Sequence, residues 1–149
     1  MQENSKRTIT TNKKAFHEYL IFDKYQAGIV LTGTEIKSIR LGNINLKDSF
    51  VKIEDGEVFL YNCHIGLYDK GNRFNHEEKR TRKLLLNKKE ILKIFGKVKQ
   101  DNYTIVPTSM FFVGSLAKIE IALAKGKKLH DKRESIKKRE LERDIKKLK

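Results

Sequence analysis

SFVKIEDGEVFLY, residues Ser49 to Tyr61, decides the fold class. Asp55-Gly56 sits between two alternating apolar and polar runs, and that dipeptide favours the positive φ angles of a tight hairpin turn. An antiparallel pair is therefore predicted at the centre of the chain. Downstream, Tyr103 to Val113 and Leu116 to Ala124 flank Gly114-Ser115, with Ala117, Ile119, Ile121 and Leu123 alternating against Lys118 and Glu120. This is a second hairpin. Upstream, Phe16 to Phe22 and Ala27 to Leu31 are rich in aromatic and branched residues over strand-like lengths, and both are expected to be strands.

Between these runs lie two short helical signals. Thr32 and Glu35 have capping-box spacing, Ile36 and Ile39 lie three apart, and Gly42 supplies a left-handed stop, which predicts a helix over 33–41. Asn87 and Glu90 repeat that spacing ahead of Ile91, Leu92, Ile94, Phe95 and Val98, which predicts a helix over 88–98. Hairpins force antiparallel neighbours, and the connections are too short for parallel crossovers. A mainly β chain with two or three short helices is implied, closed into a small antiparallel barrel that leaves few exposed edges.

The 149 residues amount to one domain. Hydrophobic residues are 38% and charged residues 35%, so surface outweighs core. Lys and Arg number 33 against 19 Asp and Glu, a net charge of +14, which makes a polyanion the first partner to expect. Residues 125–149 carry twelve Lys or Arg against five acidic residues, a net of +7. The chain is thus expected to divide into a flexible N-terminus (1–12), a barrel (13–124) and a basic C-terminal tail (125–149). The pairs Glu134 with Lys138 and Glu142 with Lys146 favour a helix, but the tail's few apolar residues do not form one face. Disorder when free and a helix on a polyanionic surface are expected.

No apolar run approaches the ~20 residues needed to span a bilayer, and the polar N-terminus has no apolar leader segment. A cytoplasmic protein, not attached to membranes, is expected. Cys63 is the one cysteine, so neither an intrachain disulfide nor a multi-cysteine zinc site is available. Phosphate-loop, nucleophile-elbow and zinc-helix motifs are absent. His17, His64, His76 and His130 fall in separate segments, and Cys63 and His64, as adjacent strand residues, would point to opposite faces. No catalytic, cofactor or metal site is expected.

Binding is the better reading. Lys79 to Lys83 (KRTRK) places four positive charges ahead of Leu84, Leu85 and Leu86, a ridge suited to phosphates. Lys13, Lys14 and His17 form a second patch, extended by Lys37 and Arg40. Tyr19, Tyr25, Tyr68, Phe74 and Tyr103 are candidate stacking partners for bases, yet no RRM-like aromatic run occurs. Structured RNA recognised through shape and backbone fits this pattern.

Four blocks in order, NKKAFHEY (12–19), LTGTEIKSIRLG (31–42), KRTRKLLLNKKEI (79–91) and AKGKKLHDKR (124–133), together with NCHI (62–65), closely resemble one bacterial family, the tmRNA-binding or SsrA-binding proteins, also called small protein B. The resemblance spans nearly the whole chain. It implies an OB-like antiparallel β-barrel and an adaptor without enzymatic activity or cofactor. Such an adaptor binds the transfer-RNA-like domain of tmRNA and, with elongation factor Tu, enters stalled ribosomes to begin trans-translation.

Carried over by matching motif, the RNA-contact residues are Asn12, Lys13, Lys14, His17 and Tyr19; Glu35, Lys37 and Arg40; Arg80, Arg82 and Lys83; and Lys125, Lys127 and Lys128. His130, Asp131, Lys132 and Arg133 match the tail motif that stands near the decoding centre, in the empty messenger channel of the small subunit. Where many relatives carry an acidic residue this chain has Gln26, and 66–78 lacks a proline common in the family, so His76 receives no role. A monomer is expected. A structural ribosomal protein and a nonspecific basic nucleic-acid binder are the alternative readings.

Overall fold

Asp55 and Gly56 both take positive φ, 52° and 77°, and the hairpin they close pairs β4 (Phe50–Glu54) with β5 (Glu57–Tyr61) in register from Phe50↔Tyr61 to Glu54↔Glu57. In this computed structural model, which describes residues 6–69 and 75–127, that hairpin belongs to a ring of strands. The other elements are β1 (Lys6–Thr11), α1 (Lys13–Glu18), β2 (Tyr19–Ile29), α2 (Gly33–Arg40), β3 (Ile44–Asn45), β6 (His64–Ile65), β7 (Arg82–Leu85), α3 (Lys88–Asp101), β8 (Thr104–Val113) and β9 (Leu116–Gly126).

The sheet order β8-β4-β5-β7-β2-β9 closes on itself because β9 also pairs with β8. All pairings are antiparallel, and the result is the OB-like barrel. The ring is complete only because β4 and β8 also meet, at the single pair Val51↔Ile105. β1 occupies the other half of that β8 edge, and β3 with β6 forms a separate two-stranded ladder. Alternating inward residues, among them Val51, Leu60, Leu84, Met110, Ile119, Ile121 and Leu123, fill the core with Ile39 of α2 and Ile94 of α3.

Both capping boxes form: Thr32 and Glu35 exchange hydrogen bonds at the start of α2, as do Asn87 and Glu90 at the start of α3. α3 runs three residues past the expected 98, to Asp101, before Asn102 turns left-handed (φ 57°). Gly114 turns the second hairpin with φ 60°.

Three expectations are corrected. Residues 6–11 are not a flexible lead-in, because Lys6–Thr11 pair with β8, Arg7 opposite Phe112. The polar KRTITT run hides this strand, whose edge position asks for no apolar face. Phe16–Phe22 is not one strand: α1 ends at Glu18, and β2 then runs unbroken to Ile29 with a register shift between Ile21 and Lys24. A six-residue helix that buries only Ala15 has no visible period. Finally, the barrel does not stop at 124, since Lys125 and Gly126 pair with Leu20 and Tyr19.

Candidate nucleic-acid interface

Thirty-three cationic side chains pose one question, which of them are spent inside the fold and which face outward. Arg82 and Glu35 are spent. Both are fully buried, and Arg82 Nε donates to Glu35 Oε2 at 2.6 Å while its Nη1 donates to the Cys63 carbonyl at 2.6 Å. Arg82 Nη2 reaches the carbonyls of Glu77 and Glu78 at 3.4 and 3.2 Å. The half-exposed Arg80 adds a bond from Nη2 to Glu35 Oε1 at 2.6 Å and one to the Val30 carbonyl at 3.2 Å. Burial alone would raise the Glu35 pKa, yet the hydrogen bonds from Arg80, the Thr32 amide and Arg82 outweigh it and bring the carboxyl down to about 2. Glu35 is an anion that receives two guanidiniums and its own helix cap. As folded, Glu35 and Arg82 present no surface to an RNA, and they tie α2 to β7.

Asn12 is also structural. Its Nδ2 donates to the carbonyls of Leu46 and Pro107 at 3.2 and 2.9 Å, its Oδ1 accepts from the Ala15 amide at 3.2 Å, and its own amide donates to the Thr108 carbonyl at 2.8 Å. Pro107 cannot donate to a ladder, and the register of β8 against β9 shifts between Pro107 and Ser109. Asn12 caps α1 on this irregular stretch. His76, 8% exposed, links two elements in the same manner: its Nε2 donates to the Ile65 carbonyl and its Nδ1 meets Thr34 Oγ1, both at 2.9 Å.

Around α1 the expected contact residues do come together. Lys13 and His17 are exposed on the helix, Tyr19 follows it, and β9 brings Lys125 opposite Leu20. Lys127 Nζ donates to the Phe16 carbonyl at 3.2 Å, so the described chain ends beside α1. Lys14 is turned into ion pairs with Asp48 and Glu18. The Asp48 hydrogen bond is the main cause that raises the Lys14 pKa. Lys24, absent from the sequence-based candidates, joins this patch with its ammonium 5.4 Å from the Phe16 ring centre.

The remaining candidates are dispersed. Lys83 on β7 pairs with Glu57 at 3.1 Å and Lys37 lies 5.4 Å from the Tyr68 ring, while Lys125 of the α1 patch lies 4.6 Å from the Tyr103 ring. These aromatics carry lysine stems and are not open stacking platforms. At the C-terminal end of α2, Arg40 stands 5.9 Å from the Phe112 ring, and Arg7 of β1 stands at the same distance from it. Arg7 is absent from the sequence-based candidates, which begin at Asn12. Phe74, Lys128, His130, Asp131, Lys132 and Arg133 lie outside the described residues.

Cys63 is fully buried, and burial pushes its thiol up to about 12. Its neighbour His64 turns outward to Glu78 at 2.6 Å.

The profile of the family described as SmpB protein matches residues 9–149. An SsrA-binding protein of Carboxydothermus hydrogenoformans is 57% identical over 141 residues, 95% of each chain. That of Geobacillus kaustophilus is 54% identical over 97% of this chain and 94% of its own. A solved chain described as "tmRNA-SmpB: a journey to the center of the bacterial ribosome" superposes with a TM-score of 0.67 at 44% identity, covering 79% of this chain and 83% of its own. Sequence over nearly the full length and fold over the barrel agree, and the chain belongs to the SmpB family of SsrA-binding proteins.

Proposed function

We propose that this protein is an RNA-binding adaptor: its barrel holds the transfer-RNA-like domain of tmRNA, and its basic segment from Lys125 onward engages ribosomes stalled without a codon. The near-full-length identity to SsrA-binding proteins carries this reading. The outward cations around α1 and β9 support it, because they form a surface that meets phosphates without reading bases. Lys13, His17, Tyr19, Lys125 and Lys127 are the side chains best placed for the transfer-RNA-like fold, with Lys37, Arg40 and, by exchanging a carboxylate partner for a phosphate, Lys14, Arg80 and Lys83 as further contacts. Asn12, Glu35 and Arg82 serve that surface by fixing α1 and α2 behind it.

In this reading the segment starts beside α1 and reaches the decoding centre through Lys128, His130, Asp131, Lys132 and Arg133, filling the empty messenger channel. A histidine ring stacks on a base, and Lys132 and Arg133 meet phosphates there. Elongation factor Tu travels on the same tmRNA. The reaction chemistry belongs to the ribosome, and the protein acts in the bacterial cytoplasm. Among the described residues no helix is long and apolar enough to cross a membrane.

The test compares the whole chain with a version ending at Lys127, which keeps all of β9. Both are measured against a transfer-RNA-like RNA, an unstructured RNA and duplex DNA at one salt concentration. The expected result is preference for the transfer-RNA-like fold in both proteins, with tagging on stalled ribosomes lost only in the shortened one. Equal binding to all three nucleic acids, lost on shortening, would instead describe a nonspecific basic arm.

A further inference from the structure

Arg7 and Arg40 approach the same aromatic ring from different elements. Arg7 lies on β1 opposite Phe112 in the β-ladder, and Arg40 is the last residue of α2, with each guanidinium carbon 5.9 Å from the ring centre. Phe112 is 5% exposed, so its ring is a fixed floor, and the two cationic heads stand above it. Together with Gly114 and Ser115 of the β8–β9 turn they line an open cleft of about 510 Å³.

Two features together mark this cleft. Among the described residues its cations carry no ion pair, a state shared with exposed lysines such as Lys13 and Lys24, and both converge on one buried ring. Lys14, Lys83, Lys97, Arg80 and Arg82 each have a carboxylate, whereas among the described residues neither Arg7 nor Arg40 does. Two guanidiniums held around one ring repel each other, and an anion placed between them relieves that repulsion. Helix C-termini ordinarily disfavour anions, but three carbonyls of the last turn of α2, those of Lys37, Ser38 and Ile39, already accept from the Leu41, Gly42 and Asn43 amides. The planar fork of arginine suits a phosphate's paired oxygens, and the Ser115 hydroxyl supplies one more donor at the rim.

We infer that this cleft is a phosphate-binding site for the backbone of a folded RNA, separate from the Lys83 ridge. β8, which carries Phe112, and β7, which carries Lys83, lie three strands apart in either direction around the ring. An RNA held at the ridge therefore leaves the cleft open to another strand or to another RNA. The inference takes from the proposed function only that the partner is RNA.

The experiment pairs Arg7→Gln with Arg40→Gln, which remove the charges while keeping the stems over Phe112. A control of equal charge change pairs Lys52→Gln with Lys99→Gln, both exposed. Each full-length protein is titrated against a transfer-RNA-like RNA and, separately, against purified ribosomes over a range of salt. The cleft variant is expected to lose roughly tenfold in affinity in at least one arm, with a salt dependence shallower by about one phosphate. The control should lose no more than half as much on the logarithmic scale. The arm that responds identifies which RNA supplies the phosphate. Equal losses in the two variants, or no loss in either arm, would overturn the inference. Absence of any preference for the transfer-RNA-like fold in the unaltered protein would remove the proposed function, yet leave the cleft variant and control still comparable.

Discussion

Arg82 and Arg40 are held near one helix in opposite ways. Arg82 is fully buried and meets Glu35 near the start of α2, while Arg40 ends α2 with its guanidinium in the open cleft over Phe112. Both are guanidiniums, but their electrostatic situations differ. The buried one is matched by a carboxylate and three carbonyls, so it organises the protein; the open one lacks a carboxylate among the described residues, so it is available to an outside anion. Net charge alone therefore says little about binding. Positive groups must be sorted by where their counter-charges lie.

The largest effect that could break this contrast is on stability. Arg82→Ala leaves the Glu35 carboxylate buried with part of its cation set gone, and should cost about 3–5 kcal/mol in urea unfolding. Glu35→Ala should cost a similar amount, and the double variant less than the sum of the two by about 1 kcal/mol or more. Additive losses would mean that the pair does not act as a unit.

Acid titration comes next. The folded pKa of Glu35 is depressed from 4.5 to about 2, so the unfolded chain takes up its proton first as pH falls. The stabilisation is complete above about pH 4.5 and is lost as pH falls through about 2, amounting to about 3 kcal/mol. Asp23 and Asp48 are also lowered, through hydrogen bonds to Lys97 and Lys14, but both are exposed and salt screens them. Urea midpoints followed at high salt should fall across this window in the unaltered protein and stay nearly level in Glu35→Gln. Parallel profiles would take Glu35 out of the acid response.

The smallest effect sharpens the other side of the comparison. Arg7→Gln and Arg40→Gln should each change stability by less than about 1 kcal/mol, because each loses only an exposed cation over an aromatic ring. A loss as large as that of Arg82→Ala would make the cleft arginines structural as well.

Local signals were legible wherever the determining residues are neighbours. Thr32 with Glu35, Asn87 with Glu90, and Asp55-Gly56 each specify a backbone conformation within a few residues, and all three form as read. The same Glu35 shows where reading stops. Its cap was visible three residues away, but its two arginines come from 45 and 47 residues down the chain. Asn12 reads as an RNA contact by its motif, because the partners that make it structural, at Leu46 and Pro107, are 34 and 95 residues distant. Lys6–Thr11 looked like a loose polar end because an edge strand takes its order from hydrogen bonds to β8 rather than from its own side chains.

By itself, then, the sequence determined a mainly β chain with two capped helices, a strongly basic surface and its family kinship, since turn chemistry, alternation, composition and ordered motifs are all written along the chain. Tertiary structure decided where β4 meets β8 to complete the ring (Val51↔Ile105), which cations are consumed by Glu35 and which converge on Phe112. Those outcomes depend on distances between residues far apart in the chain, and only burial reveals whether a charge has already found its partner.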